Sequence, residues 1–418
     1  MSIRENLISQ AEKSKEASRK LAKLSSSDKN RALNLIADKL IDRKDEILEA
    51  NKKDMKNGSQ AGLTRALLDR LKLDQDRISS MADGLRQVSA QDDPIGEIPH
   101  MWKRPNGLQI GKVKVPLGVI GIIYEARPNV TVDVAGLCLK SGNAVILRGG
   151  SNAFNSNQIL TNIIQGGLKE AGLPEESVQL VGTADRKAVE VLFTLNQYLD
   201  VLIPRGGRGL IQKVVNESRV PVIETGVGNC HVYVNKDADL NKAKKIVFNA
   251  KYSRPAVCNS AESLLVDAEI AEKFLPEMAR IFSESSVELR GCEKTREIVP
   301  SVNKADEEDF AAEYLDYIMS VKVVEDYSEA VEHIFKYGTG HSEAIVTENY
   351  TTARNFLNDI DAAAVYVNAS TRFTDGGEFG LGAETGISTQ KLHARGPMGV
   401  NELTTTKYII MGDGQIRE

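Results

Sequence analysis

The chain has 418 residues, of which 41% are apolar and 27% charged, a composition typical of a globular protein long enough for two or three domains. Its formal net charge of −5 argues against a general attraction to nucleic acid or to an anionic membrane. The most apolar segment, Leu117–Tyr124, is far shorter than the roughly 20 residues of a membrane-spanning helix.

The cysteine and histidine patterns bear on location and on metal binding. The amino-terminal segment lacks the apolar core of a signal peptide, and the four cysteines show no close pairing, so we expect a reducing compartment, the cytosol. The five histidines show no short His–His spacing. Cys230 and His231 are adjacent, but they point to opposite faces of a predicted strand. We therefore expect no metal site.

The first hundred residues predict helices, followed by a hairpin. An apolar series at helical spacing lies at Leu33–Leu40, and Ser27 with Asn30 predicts the cap of that helix. A hairpin is predicted over Met101–Val115, with its turn at Asn106-Gly107.

From Leu117 onward, apolar strands alternate with helices, which predicts parallel sheets covered on both faces. Gly142 and Gly172 follow two of the helices as terminating residues. The predicted strands are Leu117–Tyr124, Ala144–Arg148, Val178–Val181, Val201–Ile203, Val220–Ile223, Cys230–Val234, Ser263–Val266, Ser320–Val324, Glu343–Val346 and Ala364–Asn368, with a terminal strand in Gly399–Met411.

Three predicted strand ends are rich in arginine, glycine or asparagine: Glu125–Asn129, Arg148–Asn152 and Pro204–Gly209. Ligands of parallel sheets bind beyond these carboxyl ends. Glycine lets backbone N–H groups approach a phosphate and arginine supplies charge, so the pattern favours a phosphate-containing ligand. The glycine-rich segment Asp375–Gly386 has neither a preceding strand nor dinucleotide spacing, and we predict a loop there.

Cys258 is a lone thiol in a predicted loop, with Lys251 and Arg254 just upstream. Nearby cations favour the thiolate, which can hold an acyl group as a thioester. The alternative is a buried, inert cysteine, the commoner state of an isolated one.

Around these residues the chain resembles the aldehyde dehydrogenase superfamily, and more closely its γ-glutamyl phosphate reductase branch. Glu224 ahead of Cys258 carries part of the likeness, as do four segments: Val115–Asn129, Leu202–Gly209, Tyr252–Asn259 and His393–Gly399. The likeness covers nearly the whole chain and implies an α/β fold with two parallel-sheet domains and a small β extension. The implied parts are an NADPH-binding domain (1–100 and 117–225), a catalytic domain (226–395) and oligomerisation elements (101–116 and 396–418).

The resemblance implies NADPH-dependent reduction of γ-glutamyl phosphate to glutamate semialdehyde in proline synthesis. Cys258 would expel phosphate and hold a γ-glutamyl thioester, with its backbone N–H as one oxyanion donor. The asparagine that relatives use as a second donor aligns with Ala126, which leaves Asn129 and Arg127 as candidates. Glu224 matches a glutamate that activates water in hydrolytic relatives, and here its role is open between proton transfer and structure.

The implied ligand sites follow from the same alignment. Arg148 stands where it can pair with a 2′-phosphate, the Pro204–Gly209 turn near the pyrophosphate, and Glu313 at the nicotinamide ribose. The alternative to a ligand-binding role is, for each of these residues, a solvated surface charge or a glycine required by a turn. The implied cofactor-binding residues are Arg148, Gly149, Gly206, Gly207, Gly226 and Glu313, and the implied substrate-binding residues are Arg127, Asn129, Arg254, Arg372 and Arg395.

Other functions remain open. An NAD-dependent aldehyde dehydrogenase would not require phosphate, an acyltransferase or hydrolase would need a histidine base, and a nucleotide-binding protein would not depend on Cys258. The implied partners are the small-molecule substrate, further copies of the chain and the preceding glutamate kinase.

Overall fold

The computed structural model describes residues 2–125 and 127–417, except for the side chain of Ala66. Ala126, at the position of the oxyanion asparagine of relatives, lies outside the described residues. The chain divides into two compact units. Unit 1 comprises Met1–Glu224, Gly380–Gly386 and Met398–Glu418, and unit 2 comprises Thr225–Phe379 and Ile387–Pro397.

The described residues form helices and strands in alternation. The helices are α1 (Ile3–Leu21), α2 (Ser26–Asp42), α3 (Lys44–Gln60), α4 (Arg65–Leu71), α5 (Gln75–Ala90), α6 (Asn129–Lys140), α7 (Phe154–Glu170), α8 (Lys187–Leu192), α9 (Arg208–Glu217), α10 (Leu240–Tyr252), α11 (Ala268–Glu284), α12 (Glu293–Ile298), α13 (Glu307–Ala311), α14 (Tyr327–Tyr337) and α15 (Tyr350–Asp359). The strands are β1 (His100–Lys103), β2 (Gln109–Pro116), β3 (Val119–Tyr124), β4 (Ala144–Gly149), β5 (Val178–Leu180), β6 (Val201–Arg205), β7 (Cys230–Val234), β8 (Ala261–Asp267), β9 (Glu288–Gly291), β10 (Asn303–Lys304), β11 (Ile318–Val324), β12 (Ser342–Val346), β13 (Ala364–Val367), β14 (Ile387–Ser388), β15 (Gly396–Pro397) and β16 (Thr404–Met411).

Unit 1 contains a parallel sheet in the order β5-β4-β3-β6, with helices α1 to α9 around it. Every residue of β3 is buried, and so are Ala144–Arg148 of β4, because both faces of a parallel sheet are covered. Gly142 ends α6 in the left-handed region at φ 75°, as its position after the helix predicts. The predicted strand Val220–Ile223 is wrong, since the segment makes only a single bridge between Val222 and Leu202.

Unit 1 also carries an antiparallel sheet in the order β1-β2-β16, which confirms the predicted hairpin and terminal strand. The predicted cap of α2 is wrong by two residues. Ser25 caps this helix, because its hydroxyl accepts a hydrogen bond from the Asp28 N–H at 3.2 Å.

Unit 2 is built on a parallel sheet in the order β10-β9-β11-β8-β7-β12-β13. Strands β7, β8, β11, β12 and β13 confirm the predictions. Of these, β7, β8 and β12 are buried throughout, and side chains of the sheet form the core with α10, α11 and α14. Strands β9 and β10 escaped prediction because they are short and only partly apolar. The α/β class with parallel sheets is confirmed. Within the described part of the chain, no helix is long and apolar enough to cross a membrane.

Candidate active site

Cys258 lies half-buried in the loop between α10 and β8 of unit 2. Its backbone carbonyl is in close contact with another loop, which precedes β7. A Cβ atom on Gly228 would stand 1.6 Å from the Cys258 carbonyl oxygen, so only glycine fits there. The Cys230 thiol donates to the same oxygen at 3.1 Å. Burial raises the pKa of Cys230 well above its usual value, and the nearby Glu343 raises it further, so this thiol keeps its proton and can donate.

Lys251 does not serve as a free cation beside the thiol. Its Nζ lies 2.5 Å from Glu262 Oε2, and both side chains are completely buried. Burial lowers the pKa of Lys251 and raises the pKa of Glu262, although each group's charge opposes the shift of the other. Lys251 therefore pairs with Glu262, whereas the sequence pattern predicted that it would stabilise the Cys258 thiolate.

Arg372 is the guanidinium that the fold brings to the Cys258 loop. Its Nε donates to Ser253 Oγ at 3.1 Å, and its terminal nitrogen bonds to the side-chain oxygen of Asn259. Burial lowers the pKa of Arg372, the neighbouring Arg254 lowers it further, and Asp375 and the Cys258 side chain act in the opposite direction. Arg372 therefore has a second guanidinium, that of Arg254, and the Cys258 side chain among its electrostatic neighbours.

A hydrogen-bond chain holds the segment that carries Arg372. The Asn259 amide donates to the Thr374 carbonyl at 2.8 Å, and the Thr371 hydroxyl donates to the Asn259 carbonyl at 2.7 Å. The Thr374 hydroxyl in turn bonds to Ser342 Oγ at 2.6 Å and to the Tyr366 hydroxyl at 2.8 Å. Asn259 was missed by sequence analysis, although it directly follows Cys258.

Arg395 is held elsewhere in unit 2. Its guanidinium bonds to Asp361 Oδ1 at 2.7 Å and to the Asp361 carbonyl at 3.0 Å, and Lys391 pairs with the same carboxylate. These cations lower the pKa of Asp361, Lys391 having the larger effect. A structural ion pair thus accounts for the Arg395 guanidinium.

Glu313 lies on the segment after α13, and its Oε1 accepts a hydrogen bond from the Gly228 N–H at 2.8 Å. The candidate ribose-binding carboxylate and the Cys258 carbonyl therefore contact the same glycine. Gly226, named as a cofactor residue, has a packing reason to be glycine, since a Cβ there would stand 2.2 Å from Thr389 Cγ2.

In unit 1, Arg148 lies at the end of β4 with 8% of its surface exposed. Its terminal nitrogens donate to the carbonyls of Gly149 at 3.1 Å and Ala184 at 2.9 Å, while Nε has no partner among the described residues. Burial lowers the pKa of Arg148, and the exposed Arg186 lowers it further. Arg186, which sequence analysis missed, lies two residues beyond the carbonyl that Arg148 contacts.

The glycines of unit 1 have mixed roles. A Cβ on Gly149 would stand 2.1 Å from Nδ2 of the buried Asn157, so packing restricts this position to glycine. One on Gly206 would stand 2.7 Å from Glu125 Oε2, the end of a flexible side chain that can shift. Gly207 is open, and its N–H donates to Glu125 Oε2 at 3.2 Å at the start of α9. The chain's own carboxylate therefore lies at the turn that the resemblance assigns to pyrophosphate.

The remaining candidates of unit 1 are Arg127, Asn129 and Glu224. Arg127 and Asn129 follow β3, where the Val130 N–H donates to the Arg127 carbonyl at 3.1 Å and the Asn129 amide donates to Asp133 at 2.8 Å. Glu224, half-buried, ends the first segment of this unit. Across the described residues, no group of three or more His, Cys, Asp or Glu side chains has a metal-binding arrangement.

The chain is similar to proteins of known family. Residues 3–317 match the aldehyde dehydrogenase family model. The chain is 66% identical over 418 residues to the γ-glutamyl phosphate reductase of Halothermothrix orenii, covering 100% of both chains. It is 61% identical over 411 residues to that of Clostridium perfringens strain SM101, covering 98% of this chain and 99% of the relative.

A solved structure agrees with this similarity. The crystal structure of γ-glutamyl phosphate reductase from Thermotoga maritima superposes with a TM-score of 0.94 at 52% identity, covering 99% of this chain and 100% of that chain. The chain therefore belongs to the aldehyde dehydrogenase family and, within it, to the γ-glutamyl phosphate reductases.

Proposed function

We propose that the chain reduces L-glutamyl 5-phosphate to L-glutamate 5-semialdehyde, with release of phosphate, as a step of proline biosynthesis. The observation that carries the proposal is the half-buried Cys258 in a loop that Arg372 contacts, with Arg254 as an electrostatic neighbour of Arg372. An acyl phosphate brings an anionic leaving group to a thiol, and the two guanidiniums suit that charge. The names of the relatives support the same substrate.

In the proposed mechanism, the Cys258 thiolate attacks the γ-carbonyl carbon, and the bond from that carbon to the phosphate oxygen breaks. Phosphate leaves with the bonding electron pair, and a γ-glutamyl thioester remains on Cys258. The backbone N–H of Cys258 is the proposed donor to the oxyanion, with Arg127 or Asn129 as the second. A nicotinamide cofactor, when bound, would supply the hydride that reduces the thioester held on Cys258. The thiolate then departs, which yields the aldehyde and restores Cys258.

The family uses a nicotinamide cofactor, and we propose NADPH for this chain. The supporting observation is the Arg148–Arg186 pair, because an anion between two guanidiniums relieves their repulsion and the 2′-phosphate is the anion that distinguishes NADPH. Arg148 also has an unpartnered Nε, and the exposed Arg186 is able to reach a ligand. We assign the binding of the nicotinamide ribose to Glu313, and unit 1 to cofactor binding and unit 2 to catalysis.

Glu224 is proposed to give a proton to the oxygen that becomes negative as the thioester is reduced, and to take it back when the thiolate departs, rather than to activate water. Water attack on the thioester would give glutamate and waste the substrate. Glu224→Gln should therefore slow reduction without creating or removing a phosphate requirement, and steady-state rates with and without phosphate test this role.

The decisive experiment for the function runs the reaction backwards. NADP reduction with pyrroline-5-carboxylate, the cyclised product, is followed with and without inorganic phosphate for the wild type, Cys258→Ala and Cys292→Ala. Cys292 is a matched control because it is also a half-buried thiol of unit 2. We expect phosphate-dependent reduction that falls on the order of 10⁴-fold in Cys258→Ala, as the loss of a nucleophile does, and stays unchanged in Cys292→Ala.

The other outcomes would contradict the proposal. Reduction that ignores phosphate would identify a hydrolytic aldehyde dehydrogenase, with Glu224 as its base. Activity that survives Cys258→Ala would remove the thioester. Cytosolic location stays a prediction, as does association with the kinase that makes the acyl phosphate.

We also propose that the chain assembles with copies of itself through the sheet β1-β2-β16. Tyr408, Ile410 and Met411 of β16 and Met101 of β1 are large apolar side chains that are 40% to 58% exposed. The strand register places Tyr408 and Ile410 on one face of this sheet and Met101 and Met411 on the other, and exposed apolar side chains of this size are typical of an interaction surface. Sedimentation of Ile410→Lys should give a smaller particle than the wild type, and equal sizes would contradict the proposal.

A further inference from the structure

The Cys258 loop is flanked by a buried ion pair that the proposed mechanism does not use. Lys251 precedes the loop in the last turn of α10, and Glu262 follows it as the second residue of β8. Their side chains meet at 2.5 Å with no exposed surface. The pair therefore closes the loop at its base. Burial of both charges makes such a pair a poor stabiliser, and this points to a geometric role.

The second oxygen of Glu262 contacts the segment that carries Glu313. Glu262 Oε1 accepts a hydrogen bond from the Leu315 N–H at 3.2 Å. Leu315 has φ 54°, in the left-handed region that a leucine adopts only where its surroundings hold it. The carboxylate of Glu262 thus ties the base of the cysteine loop to the backbone two residues beyond Glu313.

The Glu313 segment connects back to the cysteine through Gly228. Glu313 accepts from the Gly228 N–H at 2.8 Å, and Gly228 lies directly against the Cys258 carbonyl. The contacts form a closed ring that runs from Cys258 to Glu262, Leu315, Glu313, Gly228 and back to Cys258. Every member of the ring belongs to unit 2.

We infer that Lys251 and Glu262 form a positioning pair, which fixes the Cys258 loop relative to the Glu313 carboxylate through the Leu315 N–H. The inference rests on the proposed function, because it takes Glu313 as a cofactor-binding residue. Lys251 balances the charge of Glu262 so that this carboxylate can remain in the interior. The other groups facing the pair are Asp316, the Cys230 thiol and Glu313, together with the Tyr314 ring, whose centroid lies 5.9 Å from Lys251 Nζ.

Two double variants separate the hydrogen bond to Leu315 from the charges. Lys251→Met with Glu262→Met removes both charges and the acceptor, whereas Lys251→Met with Glu262→Gln removes the charges and keeps an acceptor for the Leu315 N–H. Both replace the whole pair, because removal of one buried partner alone leaves an uncompensated charge. A matched control is Lys29→Met with Asp93→Asn, which removes a lysine ion pair of unit 1 whose lysine is also buried.

The readouts are the Kd of NADPH and the rate of Cys258 alkylation by iodoacetamide without cofactor. In the Met/Met variant we expect NADPH to bind about tenfold more weakly, the size that follows from the loss of the hydrogen bond to the Leu315 N–H, and the alkylation rate to change by about threefold or more. In the Met/Gln variant and in the unit 1 control, both should stay within about twofold of the wild type. A folded Met/Met variant with wild-type values would overturn the inference, and so would equal effects in the two double variants.

Hydrogen exchange on the wild type decides the question if the Met/Met variant does not fold. Added NADPH should slow exchange in residues 313–316 and in residues 251–262 together, since the ring joins them. Slowing confined to 313–316 would overturn the inference. Neither readout depends on the chemical reaction. A wild type without phosphate-dependent activity would therefore contradict the proposed function, while the binding and alkylation results would still test the positioning pair.

Discussion

Arg148 of unit 1 and Arg372 of unit 2 are both partly removed from water, and each has a second arginine as an electrostatic neighbour. They differ in what holds them. Arg148 donates to two backbone carbonyls, those of Gly149 and Ala184, whereas Arg372 bonds to the side chains of Ser253 and Asn259. Gly149 ends β4, so the sheet fixes the position of its carbonyl, and Ala184 lies in the loop after β5. Side-chain partners, in contrast, depend on every rotamer between them.

The difference indicates two kinds of anion site. The Arg148 site is set by the fold and presents one guanidinium in an invariant place, which suits a cofactor that binds in every cycle. The Arg372 site is assembled next to Cys258 by residues from α10, the cysteine loop and the segment at 371–375. A site of this kind is open to tuning for one substrate, and it is more easily damaged by substitution.

The largest effect on this comparison should come from Arg372→Met. Loss of a charge-assisted contact to the substrate phosphate should raise the KM for inorganic phosphate in the reverse reaction by about 10- to 100-fold. Arg395→Met is the matched control in the same unit, because Asp361 accounts for its guanidinium, and it should change this KM by less than about threefold. Steady-state kinetics across phosphate concentrations measure both. An equal rise in the two variants would mean that the Arg372 site has no special relation to the phosphate.

A smaller effect is expected from the unit 1 arginines. Arg186→Gln should lower the preference for NADP over NAD by about tenfold, because one charged contact to the 2′-phosphate is lost. Arg186 is exposed, so the variant should fold normally. Titration calorimetry with both cofactors measures the preference. A similar loss of affinity for NADP and NAD would mean that Arg186 does not bind the 2′-phosphate. The Arg148–Arg186 pair would then not be an anion site comparable to that of Arg372 and Arg254.

The same contrast explains which features the sequence predicted. The α/β class, most strands and the position of Arg148 at a strand end follow from apolar runs and from the rule that ligands bind at carboxyl ends of strands. The Val220–Ile223 segment is also apolar, but it makes a single bridge, between Val222 and Leu202, rather than a strand. Local pattern predicts that a segment is buried better than it predicts its hydrogen-bond partner.

The cysteine site was predictable only in part. Cys258 and the set of candidate arginines were named from sequence, yet the choice among those arginines needed contacts such as Asn259 to Thr374, which join residues far apart in the chain. Lys251 looked like a cation for the thiolate because it precedes Cys258. Its ammonium group pairs instead with Glu262. No sequence rule predicts that a residue after the Cys258 loop forms an ion pair with a residue before it.

The smallest predicted effect concerns pH and extends the contrast to stability. His333 of unit 2 is 3% exposed, and neither ring nitrogen has a hydrogen-bond partner among the described residues. Burial lowers its pKa to about 2, and the nearby His231, Lys322 and Lys336 also disfavour the charged form. The unfolded chain therefore takes up a proton below pH of about 6.5 while the folded chain does not. The stability that comes from the neutral imidazole is fully present above pH 6.5 and is lost as the pH falls.

One proton of difference corresponds to about 1.4 kcal/mol per pH unit, so acidification from pH 6.5 to 5.5 should cost unit 2 about 1 kcal/mol from this residue. His333→Phe should remove that part of the slope, since the ring lies among Phe310 and Tyr337, whose centroids are 5.2 and 4.5 Å away. Urea unfolding at several pH values, followed by hydrogen exchange in each unit, measures the difference between variant and wild type. If the slope of unit 2 is unchanged in His333→Phe, the imidazole is not its source. If His333→Phe changes the pH dependence of the unfolding free energy equally in both units, the effect of His333 is not confined to unit 2.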